Sequence, residues 1–134
     1  ICIQIKPSMP ILRLIYKLRS NGILCCLASN QQSYRAQYMS NELGYSEHFD
    51  KEFYSCDLGF IKPDSKFFNS IISVIGGPPS AILFIDDQES NVLAARAVGI
   101  KSEIFTSSAD HGEQVLTAIL AMHLNPSNNF YDIS

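Results

Sequence analysis

Two adjacent carboxylates, Asp86 and Asp87, directly follow the apolar run at residues 81–85. Such a run is typical of a strand that is buried on both faces of a parallel sheet, so the acids belong at its carboxyl edge, where open α/β sheets bind ligands. Because neighbouring carboxylates repel each other unless a cation or proton compensates them, the pair predicts a site for a hard divalent metal such as Mg²⁺. The alternative is that the acids only begin a loop and cap the next helix.

A second candidate group follows the apolar run at residues 23–28, where Ser29 and Asn30 precede a polar stretch and a helix. A hydroxyl and free backbone N–H groups next to a helix start can hold a phosphate. The same residues also fit a plain helix N-cap, so both interpretations stay open.

Lys62 is the candidate cation, and it precedes a helix that begins near Pro63 and Asp64. A lone lysine before a helix is most often a solvated surface residue. If the fold carries Lys62 to the edge where the acids lie, its ammonium group can neutralise a phosphoryl group.

The elements that must position these residues alternate between helices and strands. Apolar spacing predicts helices at residues 8–21, 33–43, 64–75, 88–98 and 110–124, and strands at residues 23–28, 51–56, 81–85 and 100–105. This order predicts a doubly wound, mainly parallel α/β sheet with helices on both faces. The sheet then brings Ser29, Lys62 and the acid pair to one edge, with Asn91 overhanging the acids. Phosphoryl transfer needs such a set, which makes Lys62, Asp86 and Asp87 the candidate catalytic residues.

Length and composition limit the classes of function. The 134 residues carry a formal net charge of −3 with scattered basic residues, so we expect neither nucleic acid nor a membrane as partner. The apolar runs are far shorter than the roughly 20 residues that span a bilayer, and residues 1–6 show no signal-peptide pattern. Four cysteines without metal-ligand spacing predict reduced core thiols of a cytoplasmic protein. We expect one domain at residues 1–124 and a loosely ordered tail at residues 125–134.

Three segments of the chain together carry a resemblance to a known family. They are Leu27-Ala28-Ser29-Asn30, Gly59-Phe60-Ile61-Lys62-Pro63-Asp64, and Phe84-Ile85-Asp86-Asp87 with Asn91, Ala94, Ala95 and Gly99. In order and spacing they resemble the haloacid dehalogenase-like hydrolase superfamily, and most of all its branch with a small helical cap inserted after the first strand. The resemblance covers nearly all of residues 10–105 and implies a Rossmann-like core.

The resemblance implies a phosphate site and a metal site. The phosphate would be bound by the Ser29 hydroxyl, the Asn30 backbone and Lys62, which would bridge phosphate and nucleophile. The metal would be Mg²⁺, held by Asp86 and Asp87.

Asn91 would support the loop that carries the acid pair. Because the dehalogenases proper have a metal-free arrangement in place of this pair, the resemblance favours a Mg²⁺-dependent phosphatase or phosphomutase that acts on a small phosphorylated substrate.

One departure from the family pattern is large. Members attack phosphorus with the first aspartate of an Asp-x-Asp motif on the first strand, and this sequence contains no Asp-x-Asp. We therefore expect that strand and the cap to lie upstream of Ile1, and the chain alone to be inactive. The alternatives are an inactive pseudoenzyme that keeps a phosphate or metal site, and a receiver-like signalling domain, in which the acids would precede the lysine.

The resemblance places the missing strand at the centre of the sheet, between the strands that end at Ala28 and Ile85. Three arrangements stay open. Residues 1–6, where Ile1, Ile3 and Ile5 alternate as in a strand, can fill the gap; the sheet can close up; or another chain can pair with the exposed edges.

Overall fold

The computed structural model describes residues 1–4, 9–105, 117, 118, 120 and 121. Its strands are β1 (Cys2–Gln4), β2 (Cys26–Ser29), β3 (Lys51–Tyr54), β4 (Leu83–Asp86) and β5 (Lys101–Ile104). Its helices are α1 (Met9–Ser20), α2 (Ser33–Asn41), α3 (Tyr45–His48), α4 (Ser55–Leu58), α5 (Ser65–Ile75) and α6 (Glu89–Ala97), with a 3-10 turn at Pro79–Ala81. Of the last predicted helix only four residues are described, and they are helical; the predicted tail lies outside the described residues.

The five strands form one parallel sheet in the order β3-β2-β1-β4-β5. Because all strands run in the same direction, their carboxyl ends meet at one edge, as the alternation of elements predicted. Two apolar clusters cover the faces of the sheet. One contains α1, α2 and α3, and the other contains α5 and α6, so helices pack on both faces.

The central place in the sheet is taken by β1, the first of the three arrangements left open by the sequence. Cys2 is in register with Cys26 of β2 and with Phe84 of β4, and Gln4 is in register with Asp86. The strand thus closes the ladder between β2 and β4, whose inner edges pair with it.

Several element boundaries differ from the sequence predictions. The strand predicted at residues 23–28 begins only at Cys26, because the Cys25 N–H donates to the Asp50 carboxylate (2.8 Å) instead of joining the ladder. The helix predicted to reach Leu43 ends at Asn41. The single helical turns α3 and α4 were not predicted, and α4 begins inside the strand predicted at residues 51–56. The adjacent Cys25 and Cys26 belong to the apolar clusters on opposite faces of the sheet. In the described part of the chain no helix combines the length and hydropathy that a membrane span requires.

Candidate active site

A cavity of about 220 Å³ opens at the carboxyl edge of the sheet, between the ends of β2 and β4. Every residue that the sequence singled out lines it. The lining residues are Ser29, Asn30, Gln31, Lys62, Asp86, Asp87, Gln88 and Asn91.

The centre of the site is a buried ion pair. Lys62 Nζ lies 2.9 Å from Asp86 Oδ2, and the two side chains are 2% and 0% exposed. The same ammonium donates to the Ala28 carbonyl oxygen (2.9 Å) and lies 5.7 Å from the centroid of the Phe84 ring. Burial lowers the pKa of Lys62, and the Asp86 carboxylate acts in the opposite direction by stabilising the charged form. Lys62 is therefore a buried residue of the site and not a solvated surface lysine.

Reciprocal hydrogen bonds hold Lys62 in this position. The Lys62 N–H donates to Asn30 Oδ1 (2.9 Å), and Asn30 Nδ2 donates to the Lys62 carbonyl oxygen (3.1 Å). The following peptide bond to Pro63 is cis, and α5 starts after Asp64, whose carboxylate caps it by accepting from the Lys66 N–H (2.9 Å). The loop after β2 and the loop before α5 are thus fastened to each other at the cavity wall.

The two adjacent acids have different environments. Asp86 is completely buried and accepts hydrogen bonds from Lys62, from Asn91 Nδ2 (3.1 Å) and from the Gln88 N–H (2.9 Å). Asp87 is exposed at the cavity mouth. Partial loss of hydration raises the pKa of Asp87, and the neighbouring Asp86 raises it further by hydrogen bonding and charge repulsion.

Asn91 lies where the sequence predicted it, in the first turn of α6 and over the acid pair. It is buried, and its amide restrains the Asp86 oxygen that also accepts from Lys62. Two donors from different elements therefore fix the orientation of this carboxylate.

Ser29 and Asn30 do not cap α2, whose N-cap is Gln32, so the alternative interpretation of these two residues as a plain helix N-cap is wrong. Ser29 is the last residue of β2, and α2 begins only at Ser33. The Ser29 hydroxyl is buried at the cavity and accepts from Gln31 Nε2 (2.9 Å). Because α2 begins four residues after Ser29, a phosphate next to Ser29 would be bound by the Ser29 hydroxyl and by N–H groups of the loop, and not by the first turn of the helix.

Sequence reasoning missed Gln31 and Ser55. The Gln31 N–H donates to Ser55 Oγ (2.9 Å), and this hydroxyl donates in turn to the Gln31 carbonyl oxygen (3.2 Å). Ser55 directly follows β3, but the sequence predicted that strand to run to Cys56, so no signal marked Ser55 as a residue at this edge of the sheet.

The donor set agrees in kind with Mg²⁺. Asp86 and Asp87 supply only oxygens, and Mg²⁺ is usually bound by one or two carboxylates together with waters and substrate phosphates. Within the described ranges no three or more His, Cys, Asp or Glu residues are grouped to hold a metal. The residues therefore fit an ion whose coordination shell is completed by water and phosphate, and they do not fit an ion coordinated by protein groups alone.

The haloacid dehalogenase-like hydrolase family model matches residues 3–99 of the chain, which is more than half of its length. The chain belongs to the haloacid dehalogenase-like hydrolases. The resemblance inferred from the three sequence segments is thereby confirmed.

Curated relatives include several hydrolases and phosphatases. Mouse bifunctional epoxide hydrolase 2 is 27% identical over 90% of this chain and 24% of its own length. Sesquiterpene phosphatase astK of Aspergillus oryzae is 28% identical, with 78% of this chain and 53% of that protein covered. Phosphoglycolate phosphatase 1 of Pseudomonas aeruginosa is 26% identical over 73% of this chain and 36% of its own length. The chain thus spans between about a quarter and a half of these relatives.

Solved structures share the fold. An uncharacterized protein from Corynebacterium glutamicum superposes with a TM-score of 0.74 at 18% identity, covering 91% of this chain and 92% of that one. A haloacid dehalogenase family enzyme from Bacteroides thetaiotaomicron, in complex with magnesium and inorganic phosphate, has a TM-score of 0.68 at 24% identity, over 81% of this chain and 57% of that one. At these identities the likeness establishes the Rossmann-like α/β fold.

Proposed function

We propose that this haloacid dehalogenase-like chain provides the phosphate and Mg²⁺ site of a phosphatase or phosphomutase that acts on a small phosphorylated metabolite. The observation that carries the proposal is the buried Lys62–Asp86 pair at the floor of a cavity whose mouth carries the exposed Asp87. Lys62 offsets part of the charge of a phosphoryl group, and the two carboxylates can hold the Mg²⁺ that offsets more of it, as phosphoryl transfer needs.

Each residue has a proposed part in binding. The Ser29 hydroxyl, the Asn30 backbone and the Lys62 ammonium bind the phosphoryl oxygens, and Asp86 orients Lys62 by the 2.9 Å contact. Asp86 and Asp87 hold Mg²⁺, which when bound offsets the negative charge of the phosphoryl group. Asn91 keeps Asp86 in place through its hydrogen bond.

The nucleophile is proposed to come from outside these residues. No Asp-x-Asp is present in the sequence, and β1, which occupies the centre of the sheet, carries Gln4 in register with Asp86. Lacking a carboxylate on that strand to form the covalent intermediate, the chain alone binds phosphate and does not hydrolyse phosphate esters.

The names of two relatives support the phosphatase assignment, since both are phosphatases, and a structural neighbour holds magnesium and phosphate together. A second candidate is a regulatory, catalytically inactive phosphate or metal binder. Two observations favour it. Lys62 already has a carboxylate partner in Asp86, and the sequence contains no Asp-x-Asp to supply a nucleophile. The four free cysteines support the further proposal of a cytoplasmic location.

Thermal protection tests the binding part of the proposal. Inorganic phosphate with Mg²⁺ is expected to raise the melting temperature of the wild-type chain, because both bind the folded state. Asp87→Asn should abolish the part of the rise that depends on Mg²⁺, and Glu89→Gln, a nearby exposed charge outside the cavity lining, should retain it. Equal protection of Asp87→Asn and wild type would refute the metal assignment.

Turnover tests the catalytic part. An aryl phosphate incubated with the purified chain and Mg²⁺ is expected to be hydrolysed no faster than in buffer. Turnover that disappears in Asp87→Asn would mean that a residue of this chain supplies the nucleophile, and the incomplete-site proposal would be wrong.

A further inference from the structure

A second cavity of about 450 Å³ lies beside the candidate active site and shares part of its wall. It is lined by Asn30, Gln31, Gln32, Arg35 and Ser55. Asn30 and Gln31 also line the cavity that contains Lys62 and the acid pair. The two cavities therefore share the Asn30-Gln31 strip as a wall.

The shared strip is held firmly. The Asn30 amide exchanges two hydrogen bonds with the Lys62 backbone, and the Gln31 backbone exchanges two with the Ser55 hydroxyl. The Gln31 side chain is also engaged, since it donates to Ser29 Oγ (2.9 Å). A ligand lying across the strip thus meets a preorganised surface, which lowers the entropic cost of binding.

Arg35 supplies the charge of the second cavity. Its guanidinium carbon lies 5.0 Å from the centroid of the Tyr38 ring, one turn along α2, so the aromatic ring supports the guanidinium group. Within the part of the chain that the structure describes, ion pairs involve Arg19, Lys62 and Arg96, and Arg35 pairs with no carboxylate. A guanidinium group without a carboxylate partner at a cavity wall is suited to bind a carboxylate or phosphate of a ligand, often through two hydrogen bonds.

From this arrangement we infer that the second cavity is a leaving-group subsite, in which Arg35 selects substrates that carry a second anionic group. The preferred substrates are small phosphomonoesters whose organic part bears a carboxylate or another phosphate. This inference rests on the proposed phosphate site, and it assigns Arg35 to substrate selection and not to the chemical step.

Calorimetry with a matched pair of ligands tests the inference in the presence of Mg²⁺. The first two ligands are 2-phosphoglycolate and the amide of its carboxyl group, which keeps the phosphate and lacks the carboxylate charge. Ethylene glycol bisphosphate carries a second phosphate in place of the carboxylate, and inorganic phosphate is the reference. Because Arg35 is exposed, its contact is worth about 1 kcal/mol at most, and we expect the wild-type chain to bind 2-phosphoglycolate up to about fivefold more tightly than the amide. Similar gains for the bisphosphate would extend the subsite to phosphate groups, and a gain for 2-phosphoglycolate alone would assign it to carboxylates.

Arg35→Gln should remove this preference and leave the affinity for inorganic phosphate unchanged. Arg13→Gln removes the same charge from an exposed position on α1 and should keep the preference. A preference that survives in Arg35→Gln, or that the wild-type chain lacks while it binds inorganic phosphate, would overturn the subsite and leave the proposed function standing. Failure of inorganic phosphate to bind the wild-type chain would instead overturn the proposed function, and the subsite with it.

Discussion

Two carboxylates, Asp86 and Asp50, form similar interactions at opposite ends of the strands, since Asp86 ends β4 and Asp50 directly precedes β3. Each accepts from one cationic side chain and from one backbone N–H: Asp86 from Lys62 and Gln88, and Asp50 from Arg19 and Cys25. The ion-pair distances are nearly equal, at 2.9 and 3.0 Å. Their exposures differ, because the side chains of the first pair are 2% and 0% exposed and those of the second are 32% and 27% exposed.

The difference in burial separates a candidate site from a structural clamp. The exposed pair joins the end of α1 to the chain just before β3, and water shares in its stabilisation. The buried pair has lost most of its hydration, so removing either partner leaves an uncompensated buried charge. The buried pair lies in the wall of a cavity at the carboxyl edge of the sheet, whereas the second pair is partly hydrated at the surface.

The largest effect is expected for Lys62→Met, which leaves the buried Asp86 without its cation. The free energy of unfolding should fall by about 3–5 kcal/mol, as for other broken buried pairs. The double variant Lys62→Met/Asp86→Asn, which removes both charges, should recover part of this loss. Urea denaturation measures both values. A loss below about 1 kcal/mol in the single variant would place this pair in the class of exposed ones.

Asn91→Ala should have the next largest effect on the buried pair. It removes one of the donors to Asp86 and should cost about 1–3 kcal/mol of unfolding free energy. Asn21→Ala is the matched control, because that exposed amide also donates one hydrogen bond, to the Lys17 carbonyl oxygen. Equal losses in the two variants would show that burial at Asn91 adds nothing.

For the exposed pair, Arg19→Ala should cost about 1 kcal/mol or less, and the loss should shrink as salt is added, since an exposed pair is screened. Denaturation at low and high ionic strength gives the comparison. A salt-independent loss would indicate that the bonds from Arg19 to the Glu47 and His48 carbonyl oxygens carry the effect instead of the ion pair.

At neutral pH the smallest effect is that of the thiol next to Asp50, which acts only in the alkaline range. Burial raises the pKa of Cys25 from an ordinary value of 9.0 to about 12. Between these values the folded protein keeps the proton that the unfolded chain releases, so the free energy of unfolding should fall as pH rises through this range. Cys25→Ala should flatten the fall, because it removes the buried thiol. Parallel pH profiles for wild type and Cys25→Ala would contradict this prediction.

Most of the sheet could be predicted because β2 and β4 lie in local apolar runs and the helices have regular apolar spacing, whereas β3 and β5 contain charged residues and have a weaker pattern. The exact place of β1 could not be predicted, since this three-residue strand is positioned by pairing with β2 and β4, which are far away in the sequence. The single turns α3 and α4 were missed for a related reason. A four-residue helix is unfavourable in isolation and forms here through tertiary packing, such as that of the buried Tyr45.

The candidate site could be predicted as a set of residues and not as a network. Strand ends and the crossover rule bring Ser29, Lys62 and the acid pair together. Two contacts join residues 24 positions apart: the ion pair between Lys62 and Asp86, and the hydrogen bonds between Gln31 and Ser55. Their geometry depends on loop conformations, which have no periodic pattern in the sequence. The roles of these residues in binding phosphate and metal remain predictions.

A crystal of the chain soaked with phosphate and Mn²⁺, a substitute for Mg²⁺ that is visible by anomalous scattering, tests the central claim most directly. We expect a phosphate in the cavity within about 3 Å of Lys62 Nζ and Ser29 Oγ, and an anomalous peak at the Asp86 and Asp87 oxygens. A phosphate bound elsewhere, with Lys62 and the acid pair contacting neither phosphate nor metal at saturating concentrations, would contradict it.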